Sequence, residues 1–202
     1  MFDIKPGQLD IRAKYGIRDD AMVILFVGAL AEYKGVNYLI RAFEIVNKAG
    51  KGAFLIIIGS GSMRKSLEEQ VKASGLSEKV LFTGYVDDEE MPYFYWASDV
   101  FVLPSVSEKE GFGIVQLEAM ASCKPVISSD LPGVRDVDPD GVATIHIAPA
   151  NTEALADAIL KLLSNPDLAT SMGERGKALV MERYTWDIVA KATERIYKEV
   201  RQ

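Results

Sequence analysis

The sequence has one cysteine, Cys123, and one histidine, His146. A single thiol excludes an intrachain disulfide and any cysteine-based zinc site, and it agrees with a reducing, cytoplasmic setting. A single imidazole removes most metal sites and Ser-His-Asp chemistry. No apolar run approaches the ~18 residues that a membrane span needs; runs such as Phe54 to Ile58 have strand length. Met1 to Pro6 lack the basic head and apolar core of a signal peptide, so no leader is expected. Positive charge is also scarce. The formal net charge of −6 argues against broad nucleic-acid binding, which needs a basic face. An anionic ligand must therefore be held locally, by backbone amides and a few placed cations.

What is present is an ordinary globular balance, with 49% apolar and 26% charged residues in a chain of 202. Short β-branched and apolar runs alternate with segments of helical period. Met22 to Val27, Ala53 to Ile58, Val80 to Thr83, Asp99 to Leu103, Pro125 to Ser128 and Thr144 to Ile147 read as strands. Between them, Val36 to Ala49, Met63 to Ser74 and Gly113 to Ala121 read as helices, and Asp87 or Asp88 is expected to cap another through Ala97. Such alternation predicts an α/β fold: a Rossmann-like, doubly wound parallel sheet of about six strands with helices on both faces. From Asn151 onward only helices are expected, to Leu163, from Pro166 to Arg183 and from Trp186 to Val200, a helical C-terminal tail. Residues 1–20, with a short helix around Gln8 to Tyr15, read as a lead-in, and 21–202 as a single domain.

Sheets of this kind bind ligands beyond the carboxyl ends of their strands. Gly28, Gly59, Gly61, Gly84, Pro104 and Ser105 fall at those ends. The richest stretch runs from Pro104 through Glu110-Gly111-Phe112-Gly113-Ile114-Val115-Gln116-Leu117-Glu118 to Ala121. A strand ends, a loop with two glycines follows, and a helix begins. Free amides at a helix start favour an anion, and glycine lets the backbone approach a phosphate closely. If helix geometry held throughout, Glu110 and Glu118 would stand roughly 12 Å apart and about 80° around the axis, suiting a ligand longer than a phosphate. Solvated carboxylates on a capped helix are the plainer alternative for Glu110. Glu118 has apolar neighbours and needs partners.

The pattern Glu-Gly-Phe-Gly, four residues, then Glu-Ala-Met-Ala resembles the large family of retaining GT-B glycosyltransferases, which includes sucrose-phosphate synthases and bacterial glycan-building enzymes. Phe26 to Phe43, with Gly28-Ala29-Leu30 and Lys34-Gly35, is similar to that family's opening strand, loop and helix. Ile58 to Gly61, Phe82 to Val86, Asp99 to Ser105 and Lys124 to Ser128 fit later pieces in order, so the resemblance covers roughly residues 20 to 200.

The resemblance implies roles. Glu110 would contact the donor sugar and Glu118 the ribose hydroxyls. The amides of Gly113, Ile114 and Val115, at the helix start just after Gly111 and Phe112, would hold the diphosphate. Lys34 would neutralise charge on the leaving diphosphate. Backbone near Gly84, Tyr85 and Val86 would meet the base, and Gly28, Ala29, Gly59 and Gly61 would line the phosphate side. Glu110 and Lys34 are thus the candidate catalytic residues. The expected substrate is a UDP- or GDP-sugar, with no cofactor and no metal. Many family members carry Arg where this chain has Ala29, which leaves Lys34 more alone; Arg64 is a second cation nearby but reads as a solvated helix residue.

By the same resemblance this is the C-terminal, donor-binding half, and an N-terminal acceptor domain is absent. An exposed apolar face is expected where that domain would sit, open to homodimer formation. Any peripheral membrane contact is expected only through the absent domain. Two alternatives stay open: a donor-binding subunit that pairs with a separate chain, and a non-catalytic nucleotide-binding or interaction domain. A dehydrogenase is disfavoured because Arg64 stands where the dinucleotide fingerprint needs its third glycine. Asp87 to Glu90 reads as an acidic helix start, Asp138 to Gly141 as a turn, and Cys123 and His146 as structural. Tyr93, Tyr95 and Trp96 read as helix packing.

Overall fold

The computed structural model describes residues 9–200. Six strands form one parallel sheet: β1 (Met22–Val27), β2 (Ala53–Ile58), β3 (Val80–Gly84), β4 (Val100–Leu103), β5 (Val126–Ser129) and β6 (Thr144–Ile147). Their spatial order is β3-β2-β1-β4-β5-β6. Alternate side chains of one strand enter opposite layers, as strand geometry requires. Ile24 and Phe26 of β1 join one buried cluster, while Val23 and Leu25 join the other. Both faces being covered is why these strands are apolar throughout instead of alternating.

The helices in chain order are α1 (Ile11–Lys14), α2 (Val36–Lys48), α3 (Arg64–Ala73), α4 (Met91–Ala97), α5 (Ile114–Ala121), α6 (Pro132–Arg135), α7 (Thr152–Leu163), α8 (Pro166–Arg183) and α9 (Trp186–Val200). One layer takes the apolar stripes of α2, α3 and α7; the other takes α1, α4, α5 and much of α8. Asn151 caps α7 by accepting from the Ala154 amide at 2.9 Å. α6, four residues long, has no periodic signal in the sequence and was not anticipated. No helix among the described residues is long and apolar enough to cross a membrane.

Three local features differ from the sequence reading. α4 starts at Met91, not after an Asp87 or Asp88 side-chain cap. Asp87 instead uses its backbone carbonyl to receive the amides of Glu90 and Met91, closing a turn. Pro92 explains the later start, because proline suits the first helical turn and no interior one. Next, Trp96 is 55% exposed instead of packed, since one helical step of ~100° carries it away from buried Tyr95.

The third concerns the stretch before β1, which joins the core. Ile11 and Ile17 are buried, Asp10 caps α1, and Arg12 donates to the carbonyls of Ala21 at 2.6 Å and Ala97 at 3.0 Å. Ile11→Ala is therefore expected to cost about 2–4 kcal/mol of stability, the usual range for emptying a filled core site. Urea denaturation measures this, and a loss below about 0.5 kcal/mol, typical of surface sites, would show the segment to be dispensable.

α9 is the opposite case. It buries no residue, and Trp186, Val189, Ile196, Tyr197 and Val200 are exposed.

Candidate active site

Strand order reverses between β1 and β4, and the crevice beyond their carboxyl ends is where a doubly wound sheet takes its ligand. β1 runs into Gly28, Ala29 and a short 3-10 turn, Glu32–Lys34, that ends at Gly35. β4 runs into Pro104, Ser105 and the loop that carries Glu110. The two loops are fastened together. The Val106 amide donates to the Tyr33 carbonyl at 2.8 Å. Gly35, at φ 67°, presses so closely on Pro104 that a Cβ there would lie 2.0 Å from its carbonyl oxygen.

That join places Lys34 against Glu110, although 76 residues of chain separate them. Lys34 Nζ donates to Glu110 Oε2 at 2.5 Å, and the side chains are 12% and 8% exposed. Buried Ser105 donates its hydroxyl to the same oxygen at 2.8 Å. A nearly dry ion pair interacts more strongly than one in water, and with both contacts on Oε2 the second carboxylate oxygen keeps its acceptor capacity.

Four residues on, α5 begins with Gly113 as its N-cap, at φ 72° and ψ 61°, and no side chain caps it. Because residues 110 to 113 are loop, the ideal-helix separation of Glu110 and Glu118 does not apply. The loop is nonetheless rigidly held. Gln116, fully buried, donates through Nε2 to the carbonyls of Phe112 at 3.1 Å and Val134 at 3.3 Å. A Cβ on Gly133 of α6 would lie 1.7 Å from the Gly111 carbonyl oxygen. Neither residue was singled out from the sequence. Gln116 carries a weak signal, a polar residue in an otherwise apolar helix; α6 meets the loop only through tertiary packing.

Glu118 is half-buried and has found a partner. The Tyr95 hydroxyl donates to its Oε2 at 2.7 Å. Burial, and then the neighbouring Glu118 charge, push the Tyr95 phenol well above its usual pKa, so it stays protonated. Tyr95 is thus more than the helix packing residue that its sequence context suggested.

The loops after β2 and β3 complete the rim. Gly28 donates to Ile58, Leu30 to Ser60, and Gly59 to Gly84, at 3.0, 2.8 and 2.8 Å. A Cβ on Gly59 would sit 1.9 Å from the Gly28 carbonyl oxygen, and one on Gly61 2.4 Å from that of Leu30. Close loop packing therefore already requires glycine at both positions. Beyond Gly84, Tyr85 is 77% exposed and Val86 packs partly against the core. Arg64 is not simply solvated. It donates to the Phe82 carbonyl at 3.2 Å, pairs with Glu68 at 2.5 Å and lies over the Phe82 ring, beside Gly84.

Other polar groups serve the frame. His146 Nε2 meets the Asp138 carbonyl at 2.8 Å, and the Asp138 carboxylate accepts from the amides of Val142 and Ala143. A hollow of about 290 Å³ lies at the opposite, amino end of the sheet, lined by Arg12, Trp96, Asp99 and Lys124 among others.

Residues 7–179 match the family model of glycosyl transferases group 1. The chain belongs to this family. An uncharacterized glycosyltransferase of Methanocaldococcus jannaschii is 38% identical over 191 residues, covering 95% of this chain and 48% of the relative. Sucrose-phosphate synthase from Thermosynechococcus elongatus superposes with a TM-score of 0.85 at 29% identity, over 95% of this chain and 48% of that one. The C-terminal domain of a glycosyl transferase group 1 protein from Francisella tularensis superposes at 0.77 with 26% identity, over 90% of this chain and 95% of that domain. This group 1 domain thus spans about half the length of the curated relatives it matches and corresponds to the C-terminal half of the GT-B fold.

Proposed function

We propose that this domain binds a nucleoside-diphosphate sugar, of the UDP or GDP class, and presents it for retaining transfer to an acceptor held by a second domain. The observation that carries the proposal is the meeting of Lys34 and Glu110 at the strand-order reversal, beside the uncapped start of α5. A departing nucleoside diphosphate gains negative charge as the glycosidic bond breaks. Lys34 stands where a fixed cation offsets that charge without solvent having to reorganise. The α5 amides hold the diphosphate, Glu110 orients the sugar hydroxyls, and Glu118 takes the ribose.

The half-length coverage of relatives supports a second domain, and so does the exposed apolar stripe of α9. Without that domain nothing orients an acceptor, and proximity is a large part of the rate. The chain alone is therefore expected to bind donor weakly and to transfer little sugar.

Calorimetric titration with UDP, GDP and ADP tests the reading. Selective binding of UDP or GDP, weakened at least about tenfold by both Glu118→Ala and Lys34→Met, is the expected result, the size of one lost charge-assisted hydrogen bond. Equal binding of all three, or indifference to both substitutions, would refute it.

A further inference from the structure

We infer that Tyr95 is a positioning residue for the donor site: its buried hydroxyl holds the Glu118 carboxylate in the one orientation that receives the ribose hydroxyls. The inference rests on the proposed role of Glu118 and goes one residue deeper. Glu118 is half-buried on α5, and a glutamate there has several accessible rotamers. Tyr95 reaches it from α4, a separate element, at 2.7 Å.

The tyrosine itself has little freedom. Its side chain is fully buried, and its ring packs against Phe101 of β4 with centroids 5.9 Å apart and planes tilted by 48°. A buried donor meeting one carboxylate oxygen anchors that oxygen and restricts the rotamers of the side chain, while the carboxylate's remaining lone pairs stay available to other donors. Vicinal hydroxyls are donors that suit such a carboxylate. Because the phenol stays protonated, it remains a donor across the neutral range. The gain is pre-organisation: the ligand finds Glu118 already ordered and does not have to order it on binding.

The test compares UDP and GDP with their 2′,3′-dideoxy forms by calorimetry, on the wild-type chain, Tyr95→Phe, Glu118→Ala and the double variant. Phenylalanine keeps the packing and deletes only the hydroxyl. The wild type is expected to prefer the ribose form by about tenfold or more. Tyr95→Phe is expected to bind the ribose form about five- to tenfold more weakly while its affinity for the dideoxy form stays unchanged, as loss of an ordering contact implies. The double variant should bind the ribose form no more weakly than Glu118→Ala. A Tyr95→Phe variant that keeps the full preference overturns the inference, and so does equal weakening toward both forms, which marks general structural damage. If Glu118→Ala also keeps the preference, the reading of Glu118 itself fails, a distinguishable result.

Discussion

Gly35→Ala is expected to lower stability by about 3 kcal/mol or more and to weaken nucleotide binding at least tenfold. Two costs combine. A left-handed backbone costs a non-glycine residue about 1–2 kcal/mol, and Gly35 sits at φ 67°. The added methyl would also lie 2.0 Å from the Pro104 carbonyl oxygen, a backbone atom that cannot swing aside as a side chain would. The loops after β1 and β4 must then separate. Those loops carry Lys34 and Glu110, so the same displacement opens the ion pair. Gly50→Ala is the matched control: φ is 74°, but nothing lies within 4 Å of the new methyl. It is expected to lose only the conformational term, about 1–2 kcal/mol, with binding intact. Urea denaturation and calorimetry on both variants separate strain from overlap. Equal losses in the two would mean that the contact with Pro104 is unimportant.

Lys34→Met is the second large effect. It leaves Glu110, whose side chain is 8% exposed, without its cation. Breaking a buried pair by removing one partner typically costs about 3–5 kcal/mol, because the remaining charge is stranded. Adding Glu110→Gln removes the stranded charge, and Ser105 can still donate to the amide oxygen. The double variant is therefore expected to recover at least about half of the lost stability, since paired neutral replacements are often close to neutral overall. It should not recover nucleotide binding, because the diphosphate still lacks its cation. Single variants that add up to the double would show that the two residues do not interact. A stable double variant that binds UDP or GDP like the wild type would remove Lys34 from the site.

Much of the fold was legible because its signals are local. β1, β2 and β6 end where the runs that start at Met22, Ala53 and Thr144 end, each run being short and rich in β-branched residues, the first two stopped by glycine and the third by Ala148-Pro149. α8 begins at Pro166, a residue suited to a first helical turn, and α9 begins at Trp186, just before the stripe of Ile188, Val189, Ala192 and Ile196. What escaped depends on tertiary placement. α6 is too short to show a period, yet Gly133 holds the Glu110 loop from below. Residues 9–20 look like polar lead-in, but two isoleucines in a mixed stretch were enough to dock them.

The candidate site was legible as a set of residue types and not as geometry. Glu110 and Glu118 are marked by the two-glycine loop and the apolar helix beside them, and Lys34 by the family resemblance alone. That Lys34 and Glu110 touch follows only from strand order, which puts β4 beside β1 despite two intervening strands. Ser105, Gln116 and Tyr95, which brace the loop and its carboxylates, are ordinary residue types whose importance appears only through what they face.

The most direct test is to map amide chemical shifts of the labelled chain as UDP and then GDP are added. Binding at the strand-order reversal predicts that the largest shifts fall on Gly113, Ile114 and Val115, with Lys34 and Gly35 following. Leu9, Tyr93 and Trp96, around the hollow at the other end of the sheet, should stay unmoved. Shifts confined to that far end, or spread evenly over the chain at saturating nucleotide, would contradict a donor site at Lys34 and Glu110.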